Sequence, residues 1–445
     1  MAEGAGLASA STGLRAMFSL LTPNESSFQK VEDVPRYVEQ ASPFFIGLMV
    51  LELLVGLLKA GDPVYTISDG VTSISCGMIS RLPLLFMRGV EMTAYLFVWE
   101  HCRLVALPWD SAWTWWIGFL GVDFGYYWLH RSSHEVAFIW AAHQVHHSSE
   151  QYNLTTALRQ SLTQQFTSWV FYLPLALVAP PAFFAVHIQL NLLYQFWIHT
   201  EVIRDLGPLE WILNTPKHHR VHHGRNRYCI DKNYGGILIL WDRLFGTFAA
   251  ETDKVVYGLV SPIKTFEIVS VQLHYYLYLW KMSKTYTTIS NKLSTFLKGP
   301  SWAPGKPRLG DHKLVPKVTG KEAPYNPSWS LPLQAYVAVH FLLVLWTYHD
   351  LFEKKMILSQ FAILGMTAYV LLTLTALGCI IDQRPTAGVL EMLRCAALLA
   401  LHGYTHMEPL PPPLAAPAEA FVSLSLLYWV LQNFSQLTSI RKKSD

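Results

Sequence analysis

Charge is what this 445-residue chain has least of: Asp, Glu, Lys and Arg together make up only 15%. A soluble domain carries about 25%, so the chain lacks the polar surface to cover a water-facing globule. The balance of charge is weak as well, +3 with histidine neutral, which excludes a nucleic-acid-binding surface. Paired cysteines are missing. The five present, Cys76, Cys102, Cys229, Cys379 and Cys395, are odd in number and form no C-x-x-C pair. That spacing excludes a disulfide framework and a zinc ribbon and suits reduced thiols. No apolar signal-peptide core precedes Arg36, since the Phe18–Leu21 run is too short, and no internal repeat is visible.

What is there is apolar and aromatic. Hydrophobic residues account for 51% of the chain and aromatics for 13%, with 16 Trp, and the mean hydropathy is +0.24. Amphipathic rings collect at membrane interfaces, and these proportions read as an all-α, polytopic integral membrane protein. A helix needs about 20 apolar residues to cross the hydrocarbon. The candidates are 43–58, with Glu52 its one charge, 82–107, 112–129, 333–348, 361–381, 389–404 and 415–431. A further stretch, 166–198, is too long for one helix and is broken by Pro174, Pro180 and Pro181, so it reads as a helical hairpin. The count is seven to nine spanning or re-entrant segments.

Two polar regions lie between them, 131–165 and 204–330, and both are rich in Arg and Lys. Lys/Arg bias marks the cytosolic side. The expected organisation is a cytosolic segment 1–40, a membrane-embedded catalytic region 41–280, a basic Pro/Gly-rich cytosolic linker 281–330, and a C-terminal membrane bundle with a basic tail, 331–445. The sequons at Asn24, Asn153 and Asn433 then fall in cytosol and stay unmodified.

Histidine, with 18 residues, is abundant, and its spacing says more than its number. His130 and His134 are four apart. His143, His146 and His147 follow an H-x-x-H-H pattern, repeated at His219, His222 and His223. On a helix such positions share one face, and imidazole is the commonest nitrogen ligand of metals. Any one histidine is more often a hydrogen-bonded or interfacial residue, and His101, His187, His274, His312, His340, His349, His402 and His406 are read that way. Three boxes in one chain are read as a metal site. Eight imidazoles exceed what one ion takes, so two ions with water or hydroxide fit better. Spacing alone does not name the metal. His199 is a ninth candidate, open between ligand and supporting group. Gln195 and Asn191 extend a polar stripe below it on a helix that must then face protein. His218 points off the face of its box and is read as a bystander.

Three segments carry a resemblance: VDFGYYWLHRSSHE at 122–135, AAHQVHHSSEQYNLTTALRQS at 141–161 and LGPLEWILNTPKHHRVHHGRNRYCIDKNYGGILILWDRLFGTF at 206–248. The boxes and their surroundings resemble the fatty acid hydroxylase/sterol desaturase superfamily over roughly residues 110–250, and many of its members carry a further His where this chain has Gln195. The flanking segments and the apolar C-terminal extension resemble its ether-lipid-cleaving branch over nearly the whole chain.

The resemblance implies a cytosol-facing site of two irons that activates O2 and inserts one oxygen atom at the ether-bearing carbon of an alkylglycerol or lyso-alkylglycerophospholipid. The hemiacetal then collapses to a fatty aldehyde and a glycerol derivative, and tetrahydrobiopterin supplies the two electrons. Asp123 and Tyr127, on one stripe with His130 and His134, are expected to hold imidazoles in place, against ordinary capping and packing roles. Glu135 is expected to accept the paired ring donors of the pterin, in preference to Glu150 and Asp231. Tyr234 is expected to stack on the pterin or, otherwise, to pack the loop. Arg220, Arg225 and Arg227 read as markers of the cytosolic face rather than phosphate binders. Within the superfamily, the competing expectation is a cytochrome b5-dependent sterol or sphingoid hydroxylase or desaturase; outside it, a metal transporter. The terminal Lys442 and Lys443 resemble an endoplasmic reticulum retrieval signal.

Overall fold

The structure, a computed structural model, describes residues 2–58, 65–87, 89–405 and 412–444, with side chains described at 10–58, 65–87, 89–401 and 413–434. His406 lies outside the described residues, as do the side chains of His402, Lys442 and Lys443. Among the described residues there is no sheet, only two isolated bridges.

The helices are α1 (Ala2–Met17), α2 (Pro23–Ser26), α3 (Tyr37–Leu58), α4 (Ile67–Arg81), α5 (Val90–Cys102) and α6 (Ala112–Glu135). They continue with α7 (Ala137–His147), α8 (Leu154–Leu158), α9 (Pro181–Trp197), α10 (Pro216–His223), α11 (Leu240–Phe245) and α12 (Ile268–Thr285). The last are α13 (Ile289–Leu297), α14 (Leu331–Lys354), α15 (Gln360–Ile381), α16 (Ala387–Thr405) and α17 (Pro412–Ser444).

Among the described residues four helices are long and apolar enough to cross a membrane: Val31–Leu58, Leu331–Lys354, Gln360–Ile381 and Pro413–Phe434. Taking Ile67–Leu85 with Val90–Cys102 makes five. Other segments of the expected seven to nine carry polar loads. The 112–129 stretch is helical but holds Asp123 fully buried, and α16 holds Glu391 and Arg394 fully buried. The expected hairpin at 166–198 is half a hairpin. Its first limb is the 3-10 turns Gln164–Phe166, Trp169–Tyr172 and Leu175–Leu177, and only α9 is a regular helix. Pro174 and Pro180 supply no N–H to a continuing helix, which explains the break.

The chain divides into two compact units, 1–65 with 88–262 and 275–324, and 66–87 with 263–274 and 325–445. Residues 281–324, read from sequence as a linker, belong to the first unit. They are tied to it by Ala137 N donating to Lys298 O (2.8 Å) and by the Arg308–Glu135 ion pair (3.1 Å).

In the first unit, α6 and α9 set the frame. Gly118, Gly121 and Gly125 line one side of α6, and a Cβ at Gly121 would stand 2.6 Å from Leu175. The same addition at Gly118 would press on His187 and Phe183 of α9 at 3.0–3.1 Å. Small residues let the backbones approach this closely. Tyr95, Val122, Tyr172 and Phe184 fill the resulting core, while α1, α3 and α9 bury Met17, Tyr37, Leu190 and Leu193 in another.

The second unit contains α4 and α14 to α17. At its centre Arg394 donates through Nε to Glu391 (2.7 Å), through Nη1 to His340 Nδ1 (3.1 Å) and through Nη2 to Tyr336 Oη (3.1 Å). His340 Nε2 meets Ser425 Oγ at 3.1 Å, and Trp429 Nε1 donates to Tyr336 Oη at 3.0 Å. His340, read as a lone residue, is thus part of a network joining α14, α16 and α17. Breaking a buried pair costs about 3–5 kcal/mol because one charge is stranded, whereas replacing both partners costs far less. Glu391→Leu should therefore lower the melting temperature of the detergent-purified chain sharply, and Glu391→Leu/Arg394→Met should recover most of the loss. Equal melting of the single and double variants would contradict the pairing.

Candidate metal centre

Helix α10 begins at Thr215 with Pro216 in its first turn, a position where the missing N–H costs nothing. It is anchored by Arg220, which is 6% exposed. The Arg220 guanidinium donates to Ile203 O (2.7 Å), to Arg204 O (2.9 Å) and to Glu251 (3.0 Å). Arg227 likewise donates to Val315 O (2.6 Å). These arginines pin backbone.

All three boxes are helical, and they converge. His130 and His134 from α6, His143 and His147 from α7, and His222 from α10 bring their ring nitrogens within 4.8 Å of one another. His146 from α7, His219 and His223 from α10, and His199 just after α9 form a second such group. Helices α7 and α10 each contribute to both, so the groups are neighbours; the rings of His147 and His223 stack at 4.4 Å. His199 stands among these nitrogens, Gln195 turns its side-chain amide to Asn191 Oδ1, and His218 lies outside against Phe248.

The hydrogen bonds of the outer ring nitrogens define what the inner ones are. His130 Nδ1 meets Tyr234 O at 2.8 Å and His222 Nδ1 meets Lys232 O at 2.8 Å. His146 Nδ1 meets Arg159 O at 3.2 Å and His199 Nδ1 meets Gln195 O at 2.6 Å. A carbonyl only accepts, so each Nδ1 is the donor and each neutral ring leaves a bare lone pair on Nε2. Yet His146 Nε2 and His199 Nε2 face each other at 3.1 Å. Two lone pairs at that distance repel unless a cation stands before both. Spacings of 3.0–3.2 Å recur at His130–His143, His143–His147, His147–His222 and His199–His219. Metal–nitrogen bonds of about 2.1 Å at right angles would place the nitrogens about 3.0 Å apart. Protonation is no alternative. Burial, reinforced by neighbouring imidazoles, pushes His143, His147, His219, His222 and His223 well below the usual histidine range, and burial brings His146 to about 4. The nine residues fit a pair of metal ions.

The surroundings hold these rings still. Asp123, fully buried, accepts from Asn191 Nδ2 (2.8 Å), Ile237 N (2.8 Å), Leu238 N (3.1 Å) and Trp241 Nε1 (2.9 Å). It joins α6 to α9 and to the loop after α10 and touches no imidazole nitrogen through these bonds. Tyr127 Oη pairs with Thr247 Oγ1 at 3.0 Å and accepts from Arg131 at 3.2 Å. In the 231–236 loop, Asp231 and Asn233 adopt φ of 58° and 57°, which Asp and Asn tolerate better than most residues. That geometry turns the Tyr234 carbonyl towards His130.

Asp242, which sequence reasoning passed over, fastens the loop by accepting from Tyr234 N (2.8 Å) and Gly235 N (2.7 Å). A carboxylate inside an apolar run was its only signal. Glu52, noted as the lone charge of its span, accepts from Leu154 N (2.8 Å) and from Thr200 beside His199.

Next to His134 in sequence, Glu135 is shared by Arg131 (2.8 Å) and Arg308 (3.1 Å). Asp231 lies 3.8 Å from His134 Nδ1 and 3.4 Å from His312 Nε2, and burial, then the Glu135 carboxylate, raises its pKa to about 7. Tyr234 is completely buried, its ring 5.3–5.9 Å from those of His134, His130 and His222. Its hydroxyl, buried as well, has no hydrogen-bond partner among the described residues.

Fold and site together define a membrane protein of the histidine-clustered hydroxylase class. Residues 115–247 match the family model for fatty acid hydroxylases, and residues 333–420 match that of the alkylglycerol monooxygenase C-terminal domain. The chain is 60% identical over 435 residues to alkylglycerol monooxygenase of Danio rerio, covering 98% of each. It is 54% identical over 431 residues to alkylglycerol monooxygenase of Homo sapiens, covering 97% of each. To an ornithine lipid hydroxylase of Rhizobium tropici it is 31% identical over 170 residues, 36% of this chain and 51% of that one. No solved structure matches. The chain belongs to the alkylglycerol monooxygenase family.

Two substitutions separate the roles within the site. His199→Ala should abolish turnover while His218→Ala leaves it near normal; equal losses would mean that His199 is only a packing residue. Removing an unpaired buried hydroxyl costs no stability, so Tyr234→Phe should melt at or above the parent temperature. Its turnover should nevertheless fall about tenfold, as for loss of a hydrogen bond worth about 1.5 kcal/mol. Unchanged turnover would leave the hydroxyl without a function.

Proposed function

We propose that this chain hydroxylates the ether-bearing carbon of alkylglycerols and lyso-alkylglycerophospholipids with O2, giving a hemiacetal that collapses to fatty aldehyde and glycerol or its derivative. One oxygen atom enters the C–H bond and the other leaves as water, tetrahydrobiopterin giving up two electrons and two protons and leaving as the dihydropterin. The observation that carries the reading is the opposed His146 and His199 lone pairs, which call for a cation within the second histidine group. Two iron ions are the proposed occupants, held by His130, His134, His143, His147 and His222 on one side and by His146, His199, His219 and His223 on the other. When bound, iron supplies the activation of O2. Membership of the alkylglycerol monooxygenase family supports the substrate.

The chain's own residues orient and seal. Tyr152 donates to Ile198 O at 2.9 Å and stacks on Tyr257, walling the second group, while Tyr234 and Trp140 wall the first. Such walls keep water from a strongly oxidising centre. The pterin is proposed to pair with Glu135 and, on binding, to reach the Tyr234 ring or hydroxyl. Asp123 and Tyr127 are proposed to hold the α6 histidines through backbone and loop. The region 41–280 is the proposed catalytic part and 331–445 the accompanying bundle. The chain is multi-pass; residence in the endoplasmic reticulum with the site facing cytosol is proposed from the Arg/Lys-rich segments and from Lys442 and Lys443.

Membranes containing the chain, given an alkylglycerol, O2 and tetrahydrobiopterin, should release fatty aldehyde. Sterol or sphingoid oxidation driven by cytochrome b5 without pterin would sink the assignment. Glu135→Gln should raise the apparent pterin KM about ten- to a hundredfold, the worth of a charge-assisted hydrogen bond at about 1.5–3 kcal/mol, with iron retained. Iron loss at unchanged pterin KM would move Glu135 to the support of the metal.

A further inference from the structure

Residues 275–310 of the first unit contain Lys281, Lys284, Lys292, Lys298, Lys306 and Arg308 and no Asp or Glu at all. Within this stretch the end of α12 and the whole of α13 form a hairpin with two unlike faces. The inner face packs on α7, the helix that carries His143, His146 and His147. There Leu279 is buried with Ala137 and Ala141, flanked by Tyr275, Tyr276 and Phe296, and Tyr276 Oη meets Thr163 Oγ1 at 2.8 Å.

The outer face is apolar and uncovered. Ile289, Leu293 and Leu297 recur every fourth residue and are 75%, 55% and 61% exposed. Leu277 and Trp280 extend the surface at 56% and 58%. Its rim is basic: Lys284 lies over the Trp280 ring at 4.5 Å and Lys298 over Trp302 at 4.6 Å. Among the described residues no carboxylate pairs with Lys281, Lys284, Lys292 or Lys298. A one-sided apolar stripe bordered by unneutralised lysines and Trp/Tyr rings is the chemistry of a helix lying in the plane of a membrane interface. The same unit holds the 31–58 helix, long and apolar enough to cross that membrane.

We propose that the α12–α13 hairpin lies in the headgroup layer of the bilayer and binds acidic phospholipids there, its leucines and isoleucine in the acyl boundary and its lysines on phosphate and carboxylate groups. Acidic rather than neutral lipid follows from the charge, five lysines against no acidic residue over 275–310, Arg308 being paired with Glu135. The proposal does not depend on the reaction the chain performs. It gives the helix bearing His143, His146 and His147 a direct mechanical link to the lipid surface.

The test uses the full chain in nanodiscs, with Cys102→Ser removing the exposed thiol and Leu293→Cys carrying an environment-sensitive fluorophore. The discs contain phosphatidylcholine alone or mixed with phosphatidylserine. In the mixed discs the probe should be quenched by shallow spin-labelled lipids and shielded from aqueous iodide. Changing Lys281, Lys284 and Lys292 to Gln should weaken partitioning of the face into the mixed discs by about fivefold per lysine, about 1 kcal/mol each, so that the phosphatidylserine-dependent shielding is lost. Unchanged iron content and melting temperature in that variant keep its fold out of question. Iodide access at every lipid composition overturns the proposal, as does equal shielding with and without phosphatidylserine.

Discussion

Everything in the first unit answers to one electrostatic problem, that of nine imidazoles turned inward where water does not reach. Each neutral ring carries one donor and one acceptor. Where the donor is spent on a backbone carbonyl, as at His130, His146, His199 and His222, the acceptor is left facing its neighbours. Such an arrangement is unfavourable as bare protein and favourable around cations. The loops that supply the carbonyls must therefore be rigid before any ion arrives. This explains why so much buried polar bonding surrounds the rings, from Asp123 and Asp242 on one side to Arg220 and Glu52 on the other.

The part legible in sequence was the part written in helical spacing. His130 with His134, and the two H-x-x-H-H runs, lie on helices as their intervals require, and the composition identified an all-helical membrane protein. Spacing could not tell which imidazole joins which group, because that depends on how α7 and α10 lie beside each other. His143 and His147 separate from His146 on the same helix. His199, alone in its segment, takes its place only because the turn after α9 carries it there. The loop carboxylate Asp242 and the anchoring Arg220 were illegible for the same reason, their partners being backbone atoms remote in sequence.

Apolar stretches with polar residues were counted as spanning or re-entrant segments; α6, one of them, is apolar where it is packed on α9 and polar where it holds Asp123 and the histidines. The basic segment 281–330 was read as a linker from its Pro and Gly, but residues 281–324 belong to the first unit, where α13 packs behind α7. In the second unit, the Glu391–Arg394 pair and its partners join three helices. Directional bonds of this kind specify which faces meet where lipid supplies no hydrophobic drive between helices.

The central claim is that the opposed imidazoles enclose two iron ions. The most direct measurement is elemental analysis of the purified chain combined with Mössbauer spectroscopy of the iron-57-loaded protein. The account expects about two irons per chain in nitrogen-rich, magnetically coupled sites, with both lost when a histidine of α7 is removed. A single iron per chain, or a full complement of zinc with catalytic activity intact, would contradict it.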